Sequence, residues 1–269
     1  MRVVTWNLWW RFGPWAERQK AVLAVLRDLG PDVVGLQEVW ASEDGGNLAE
    51  WLAGELGLHW TWAAYGAPER WQRRIGSDAV VIGTAVLSRW PVVERAALRL
   101  PAPAELDDGR IALYAGLDAP GHQVPFCTAH LTSAAPASAV RRRQVTAVTG
   151  FLDRHRRGTA HPGVLTGDFN AGPGTDEIRL LAARGYPDAW DLADPAAPSA
   201  TWDPANPYVT GDGPPNRVDY IRPGPPGPGG LGRVRAVRRA GDGPVDGVWP
   251  SDHFAVVADL AGAGAPQGA

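Results

Sequence analysis

Short apolar runs and longer amphipathic stretches alternate along the chain from its first residues. Arg2-Val3-Val4-Thr5-Trp6-Asn7-Leu8 is rich in β-formers and reads as a strand with Asn7 at its C-terminal end. From Ala16 the period changes. Val22, Val25, Leu26 and Leu29 lie on one helical stripe, Gly30 suits the C-terminal cap, and Pro31 ends the helix. Residues 32–37 form a second, buried strand that ends in Glu38, completing a βαβ-like unit.

The same alternation continues. Residues 47–56 predict a helix carrying Leu48, Leu52 and Leu56, and 59–64 a strand bearing Trp60 and Trp62. Residues 79–87 are strongly β, with Gly83 marking a bulge or a close backbone approach. A turn at Ser88-Arg89-Trp90-Pro91 leads to a strand from Val92, and 101–109 is a loop. Residues 111–117 and 123–130 pair as a hairpin whose second strand ends in Thr128-Ala129-His130-Leu131. A helix over 138–155 turns Val140, Ala147, Val148 and Phe151 inward and Arg141, Arg142 and Arg143 outward.

An apolar strand then runs into Thr166-Gly167-Asp168-Phe169-Asn170, followed by a short helix over 176–184. Residues 193–215 are irregular and Pro-rich, a length that favours a functional loop over a spacer. Strands at 217–221, 234–239 and 254–260 close the series, with 223–232 as a Pro/Gly hairpin tip. No break in composition divides the chain. Residues 1–261 are expected to form one domain and 262–269 a disordered Gly/Ala-rich tail. Strands interleaved with helices in both halves predict an α/β (α+β) architecture of two sheets packed face to face, helices outside.

Composition narrows the classes. The 269 residues are 45% hydrophobic, ample for a core, and the net charge of −3 gives no general basic field for nucleic acid. Lys20 is the only lysine, and the arginine clusters at 70–74, 141–143, 154–157 and 233–239 read as solvated faces. Cys127 is the single cysteine, so no intrachain disulfide or cysteine zinc site forms, and an apolar setting makes it a core residue. No apolar run reaches the ~18 residues of a membrane span, and no signal segment opens the chain. A cytoplasmic monomer without a transmembrane segment is expected.

Polar residues recur where strands end or begin: Asn7, Glu38, His130, Asp168, Asn170, Asp219, Asp252 and His253. Strand-end side chains converge on one rim in layered folds. Asp168 and Asn170 are two apart, so on an extended chain they share a face, and Phe169 points to the core. Taken alone, the pentapeptide is equally well a turn. Oxygen donors of this kind suit a hard cation such as Mg²⁺. The chain has no HExxH, no phosphate loop with Gly-Lys-Ser/Thr and no Gly-x-Ser-x-Gly.

Seven short motifs stand in order: Thr5-Trp6-Asn7, Leu36-Gln37-Glu38, Leu87-Ser88-Arg89-Trp90-Pro91, Thr128-Ala129-His130-Leu131, Gly167-Asp168-Phe169-Asn170, Val218-Asp219-Tyr220-Ile221 and Ser251-Asp252-His253. Together they resemble the endonuclease/exonuclease/phosphatase superfamily, over residues 2–260. That superfamily includes DNase I, exonuclease III-like AP endonucleases, neutral sphingomyelinases, inositol polyphosphate 5-phosphatases and mRNA deadenylases. The resemblance implies a DNase I-like four-layer sandwich: two mixed β-sheets face to face with helices on both outer sides.

It also implies roles. Glu38 resembles the main Mg²⁺ ligand, with Asn7 and Asp252 beside it and Mn²⁺ as a substitute. His253 resembles the catalytic histidine and Asp219 the carboxylate that orients it. Asp168 and Asn170 resemble the pair flanking the attacked phosphorus, and His130 a phosphate-contacting histidine. The implied reaction is in-line attack of water on a phosphoester, with either Asp168 or His253 as general base. Arg110, Trp202 and Asn206 are further substrate-binding candidates, although a surface arginine and a packing tryptophan are the plainer readings of the first two.

The substrate class stays open among nucleic acid, a phospholipid headgroup as in sphingomyelinases, and a small phosphoester. AP endonucleases tend to carry tyrosine where His130 stands, and DNase I has disulfides that this chain lacks. Trp9, Trp10 and Trp15 would stack on a base or meet a headgroup if exposed; burial is expected for at least two of them. A non-catalytic binding protein on the same fold is the remaining alternative, and the retention of Glu38, Asp168 and His253 weighs against it.

Overall fold

The computed structural model describes residues 1–262 apart from Asp194 and Asp212. The tail expected at 262–269 therefore lies, beyond Gly262, outside the described residues. In chain order the elements are β1 Arg2–Asn7, α1 Trp15–Leu29, β2 Val33–Ser42, α2 Leu48–Leu56, β3 His59–Ala64, α3 Glu69–Ile75, β4 Val80–Ser88 and β5 Val92–Arg99. They continue with β6 Ile111–Ala119, β7 His122–His130, α4 Ser138–His155, β8 Val164–Asp168, α5 Asp176–Ala183, β9 Asp219–Pro223, β10 Val234–Ala240 and β11 Ala255–Leu260.

The strands form two sheets, β10-β11-β1-β2-β4-β3 and β5-β6-β7-β8-β9. Each is mixed: β1 runs parallel to β2, and β7 parallel to β8, among otherwise antiparallel neighbours. The first strand pairs with the last, Val4 opposite Val257. The stripe of α1 and Leu48, Leu52 of α2 pack on the six-stranded sheet. Val145, Val148 and Leu152 of α4, with Ile178 and Leu181 of α5, cover the five-stranded one. The predicted four layers are present.

Where the sheets meet, the centre is polar and closely fitted. Gln37 Nε2 donates to Thr5 Oγ1 and, across the interface, to Thr128 Oγ1 at 2.8 Å. Gly35 is required here, because a Cβ would fall 2.6 Å from Thr166 Oγ1. This junction brings the C-terminal ends of β1, β7 and β8 to one rim.

Several local expectations need correction. The second strand does not end at Glu38 but continues to Ser42; its register against β4 shifts between Leu36 and Val39, a bulge that holds Glu38. The 223–232 segment is no hairpin tip, since β9 and β10 belong to different sheets. Ala147 is only half-buried, whereas Arg141, expected outward, is buried against Glu177 with Nε–Oε1 at 2.6 Å. Helix α3, a single short segment between Pro68 and Gly76, has no counterpart in the apolar pattern. Of the three tryptophans, Trp10 is buried and Trp9 and Trp15 are half-buried. Cys127 is buried, and burial pushes its thiol up. Among the described residues, no helix is long and apolar enough to cross a membrane.

Candidate active site

Strand register assembles the rim. His130, Asp168 and Asp219 are direct neighbours across β7, β8 and β9. Asn7 ends β1 in the other sheet, and its Nδ2 donates to Asp168 Oδ2 at 3.0 Å, tying the sheets together. Ser251-Asp252-His253 reaches the same place from the loop before β11. Ser251 Oγ donates to Asn7 O at 2.7 Å, and Trp6 Nε1 donates to His253 O at 2.9 Å. The result is a cleft of about 220 Å³. Its polar side is lined by Asn7, Glu38, His130, Asp168, Asn170, Asp252 and His253.

Asp168 is the hub. Its Oδ2 lies 3.2 Å from His130 Nε2 and 3.9 Å from His253 Nε2, and its Oδ1 accepts from Asn170 N at 2.9 Å. Burial would raise this carboxyl, but the neighbouring His130 and His253 and the Asn170 N–H outweigh it and hold Asp168 well below the usual carboxylate range. Behind the cleft, Asp219 Oδ2 sits 2.8 Å from His253 Nδ1. Burial disfavours a charged imidazole, yet Asp219, Asp252 and Asp168 together lift His253 well above its ordinary value. Burial also raises Asp219, with His253 opposing. The arrangement is an imidazolium whose Nδ1–H is fixed and whose Nε2 faces Asp168 and the cleft.

His130 makes a second network. With Nε2–H given to Asp168, its Nδ1 is left to accept from Tyr65 Oη at 2.9 Å, while Arg110 Nη1 lies against the ring, 2.6 Å from Nδ1 and 2.8 Å from Nε2. Arg110 is only 2% exposed, so the surface reading fails. It packs under the rings of Tyr65 and Trp71 and reaches Ser133 Oγ at 3.3 Å. Its Nε has no hydrogen-bond partner. The other face of the cleft is aromatic and cationic: Trp9, Phe12 and Trp71, with Arg74 over Phe12 and Trp71.

Two groups of residues could hold a cation. Asp168, Asp219 and His253 place three potential ligand atoms within 4.8 Å of one another. Those atoms are already spent: Asp219 on His253 Nδ1, Asp168 on Asn7 and His130. Glu38 and Asp252 fit better. Both line the cleft, and among the described residues neither has a salt bridge to a lysine or arginine. Burial pushes Asp252 up to about 7, with Glu38 adding to the effect and His253 and Arg18 opposing it. Two carboxylates that line the cleft with the Asn7 carboxamide, neither in a salt bridge to lysine or arginine, are the donor set of a hard divalent cation.

Backbone conformation marks the same rim. Of the five non-glycine residues at positive φ among the described residues, Trp9, Trp10, Glu38 and Asn170 are at or beside the cleft. Such strain persists where surrounding structure enforces it, and it clusters at functional sites. At Glu38 the bulge turns the side chain into the cleft. Asn170 is held by Nδ2 donating to Leu131 O at 3.0 Å.

Trp202 and Asn206 do not line the cleft. Trp202 forms a bridge with Asn216, and Asn206 is buried with Nδ2 donating to Ser251 O at 2.7 Å, a support for the Asp252 loop. Arg217 pairs with Asp188 at 3.1 Å, which leaves Asp219 to His253. Sequence reasoning missed Tyr65, Arg74, Trp71 and Arg18 as cleft residues or supports. Only Arg18 had a signal: a charge on the apolar stripe of α1. A larger groove of about 780 Å³ between α4 and α5 contains none of the strand-end residues.

The Endonuclease/Exonuclease/phosphatase family matches residues 4–253. No curated protein matches the chain. Among solved structures, an endonuclease/exonuclease/phosphatase from Beutenbergia cavernae is 24% identical, with a TM-score of 0.74 covering 100% of this chain and 73% of that one. The human Nocturnin catalytic domain with bound sulfate anion is 22% identical, with a TM-score of 0.74 and coverage of 97% and 94%. D. rerio TDP2 complexed with single strand DNA product is 21% identical, with a TM-score of 0.74 and coverage of 96% and 97%. At these identities the structures speak to the fold, whereas the match over most of the sequence speaks to descent: the chain belongs to the endonuclease/exonuclease/phosphatase family, whose members are phosphoric ester hydrolases.

Proposed function

We propose that the chain is a divalent-metal-dependent phosphodiesterase, with residues 1–261 acting as one catalytic unit. The observation that carries this reading is the position of Asp168, held ionised between Asn7, His130 and His253 on a cleft that the Glu38 and Asp252 carboxylates also line. Asn7, Glu38 and Asp252 are the residues that would hold the cation. A cation there supplies Lewis-acid charge to the phosphate and leaving oxygens, and Mg²⁺, with Mn²⁺ as substitute, suits oxygen donors.

The chain's own residues supply the rest. Asp168, ionised at any physiological pH, accepts the proton of the attacking water. His253 enters as the imidazolium, so Nε2–H is a donor to a nonbridging oxygen, and Asp219 keeps that proton and that orientation. This assignment favours Asp168 over His253 as base, since His253 holds its proton. The second amide hydrogen of Asn170, and Arg110 behind His130, complete the set of donors around the phosphate.

Human Nocturnin binds sulfate in its structure, and D. rerio TDP2 binds a single strand DNA product. A nucleic-acid phosphodiester is therefore the first natural substrate to offer. The test uses bis(p-nitrophenyl) phosphate, single-stranded and plasmid DNA, RNA and sphingomyelin, each with Mg²⁺, Mn²⁺ or EDTA. Metal-dependent turnover of at least the activated diester is expected, lost in Asp168→Ala and His253→Ala. Turnover that survives EDTA, or full activity in both variants, would overturn the reading.

A further inference from the structure

Arg18 stands behind the cleft, touches none of the residues assigned chemistry above, and is 2% exposed. It makes no salt bridge among the described residues. Instead all five guanidinium N–H groups are given to backbone carbonyls. Nε donates to Phe12 O at 3.1 Å; Nη1 to Leu8 O and Pro250 O, both at 2.9 Å; Nη2 to Trp9 O at 3.0 Å and Trp10 O at 2.9 Å. Four of the carbonyls belong to the loop after Asn7. The fifth belongs to the residue two before Asp252. One side chain thus joins the two segments that present Asn7 and Asp252.

The loop it grips needs a clamp. Trp9 and Trp10 are both at positive φ, a conformation that costs on the order of 1–3 kcal/mol per non-glycine residue unless enforced. Trp10 N in turn donates to Glu38 O at 3.1 Å, so the same loop braces the bulge that carries Glu38. The Arg18 guanidinium also lies 4.9 Å from the Trp9 ring, which lines the cleft. A planar fork of five donors can meet five carbonyls at once; an ammonium with three cannot.

We propose that Arg18 is a positioning residue that sets the spacing of Asn7, Glu38 and Asp252 and so prepares the cation site before the ion arrives. The proposal rests on the reading that these three residues hold the cation. It competes with a simple alternative of opposite sign. A buried positive charge near a cation site repels the ion, so removing the charge should tighten binding if charge dominates. If geometry dominates, removing the clamp should weaken binding whether or not the charge remains. Supporting residues behind metal ligands typically matter about 10–100-fold in affinity or activity.

The experiment is calorimetric Mg²⁺ titration of the full chain, with kcat and KM for bis(p-nitrophenyl) phosphate measured alongside. The variants are Arg18→Met, Arg18→Lys and, as a control that bonds none of Asn7, Glu38 and Asp252, Arg141→Met, which removes a buried arginine held by Glu177 and the 132–135 loop. Both Arg18 variants are expected to bind Mg²⁺ at least tenfold more weakly and to lose at least tenfold in kcat, with KM within about threefold. Arg141→Met should lose thermal stability and keep the wild-type Mg²⁺ Kd. Tighter binding in Arg18→Met, or affinities within twofold of wild type in a folded Arg18→Lys, would overturn the proposal. So would failure of both Arg18 variants to fold, which would make Arg18 a stability residue first. Absence of Mg²⁺ binding by the wild type would instead strike the assignment of the cation site itself.

Discussion

His253 Nδ1 and Asp219 Oδ2 lie 2.8 Å apart, 34 residues separated in sequence and both buried. Asp219 is shut behind the histidine and does not line the cleft, so its effect on chemistry passes through His253. Replacing it with asparagine removes the charge that lifts His253 while nearly keeping the shape. We expect Asp219→Asn to lower kcat by about 100-fold or more, with KM little changed. The pH profile gives the sharper check. Activity that needs the imidazolium is lost as pH rises through the His253 pKa, which lies well above its ordinary value. In Asp219→Asn that basic limb should move down toward pH 6.5. An unmoved limb would separate Asp219 from the function of His253.

Gly167 precedes Asp168 at φ +140, and a Cβ there would fall 1.8 Å from Ala129 O on the neighbouring strand. Neither the backbone angle nor the space admits a side chain. Gly167→Ala is predicted to cost more than about 3 kcal/mol in denaturant unfolding, through strain and a forced separation of β7 from β8. A cost under 1 kcal/mol would contradict the register that brings His130 beside Asp168.

The Arg141–Glu177 pair joins α4 to α5, and Arg141 also holds the loop after His130 by donating Nη1 to Thr132 O and Ala134 O. Arg141 Nε donates to Glu177 Oε1 at 2.6 Å, and Ser138 Oγ donates to Oε2 at 2.7 Å. Glu177→Leu leaves a buried guanidinium unpaired, which costs about 3–5 kcal/mol. Urea unfolding should show that loss, and a cost under about 1 kcal/mol would contradict it.

His161 is buried before β8, with Nδ1 2.7 Å from Pro162 O and the His122 ring stacked at 5.3 Å. Burial pushes it down to about 4. Between pH 6.5 and 4 the unfolded chain therefore binds a proton that the folded chain does not. The stability from neutral His161 is present above pH 6.5 and is lost as pH falls toward 4. His161→Gln should show a flatter thermal-stability curve than wild type across that window. Parallel curves would show that His161 titrates alike in both states.

Much of the fold was legible because period and punctuation agreed: Gly30-Pro31 after α1, the leucine spacing of α2, and the 138–155 helix all read directly from local chemistry. The strand-end polar residues were legible as a set for the same reason. Their geometry was not. The positive φ at Glu38 depends on pairing with β4, forty-odd residues away, and Glu38 itself carries no glycine-like mark. Arg110 looked like a surface charge because its burial comes from Tyr65 and Trp71, one of them on the short α3 that had no apolar stripe to announce it. The crossing from β9 to β10 looked like a hairpin because Pro and Gly mark a change of direction without saying which sheet the chain enters.

The most direct test of the account is the Mg²⁺-dependent kcat for bis(p-nitrophenyl) phosphate in Asp168→Asn, which keeps the size and nearly the hydrogen-bond geometry of the hub but cannot take a proton. A loss of about 10²–10⁴-fold is expected, with Mg²⁺ still bound. Turnover within threefold of wild type would contradict it.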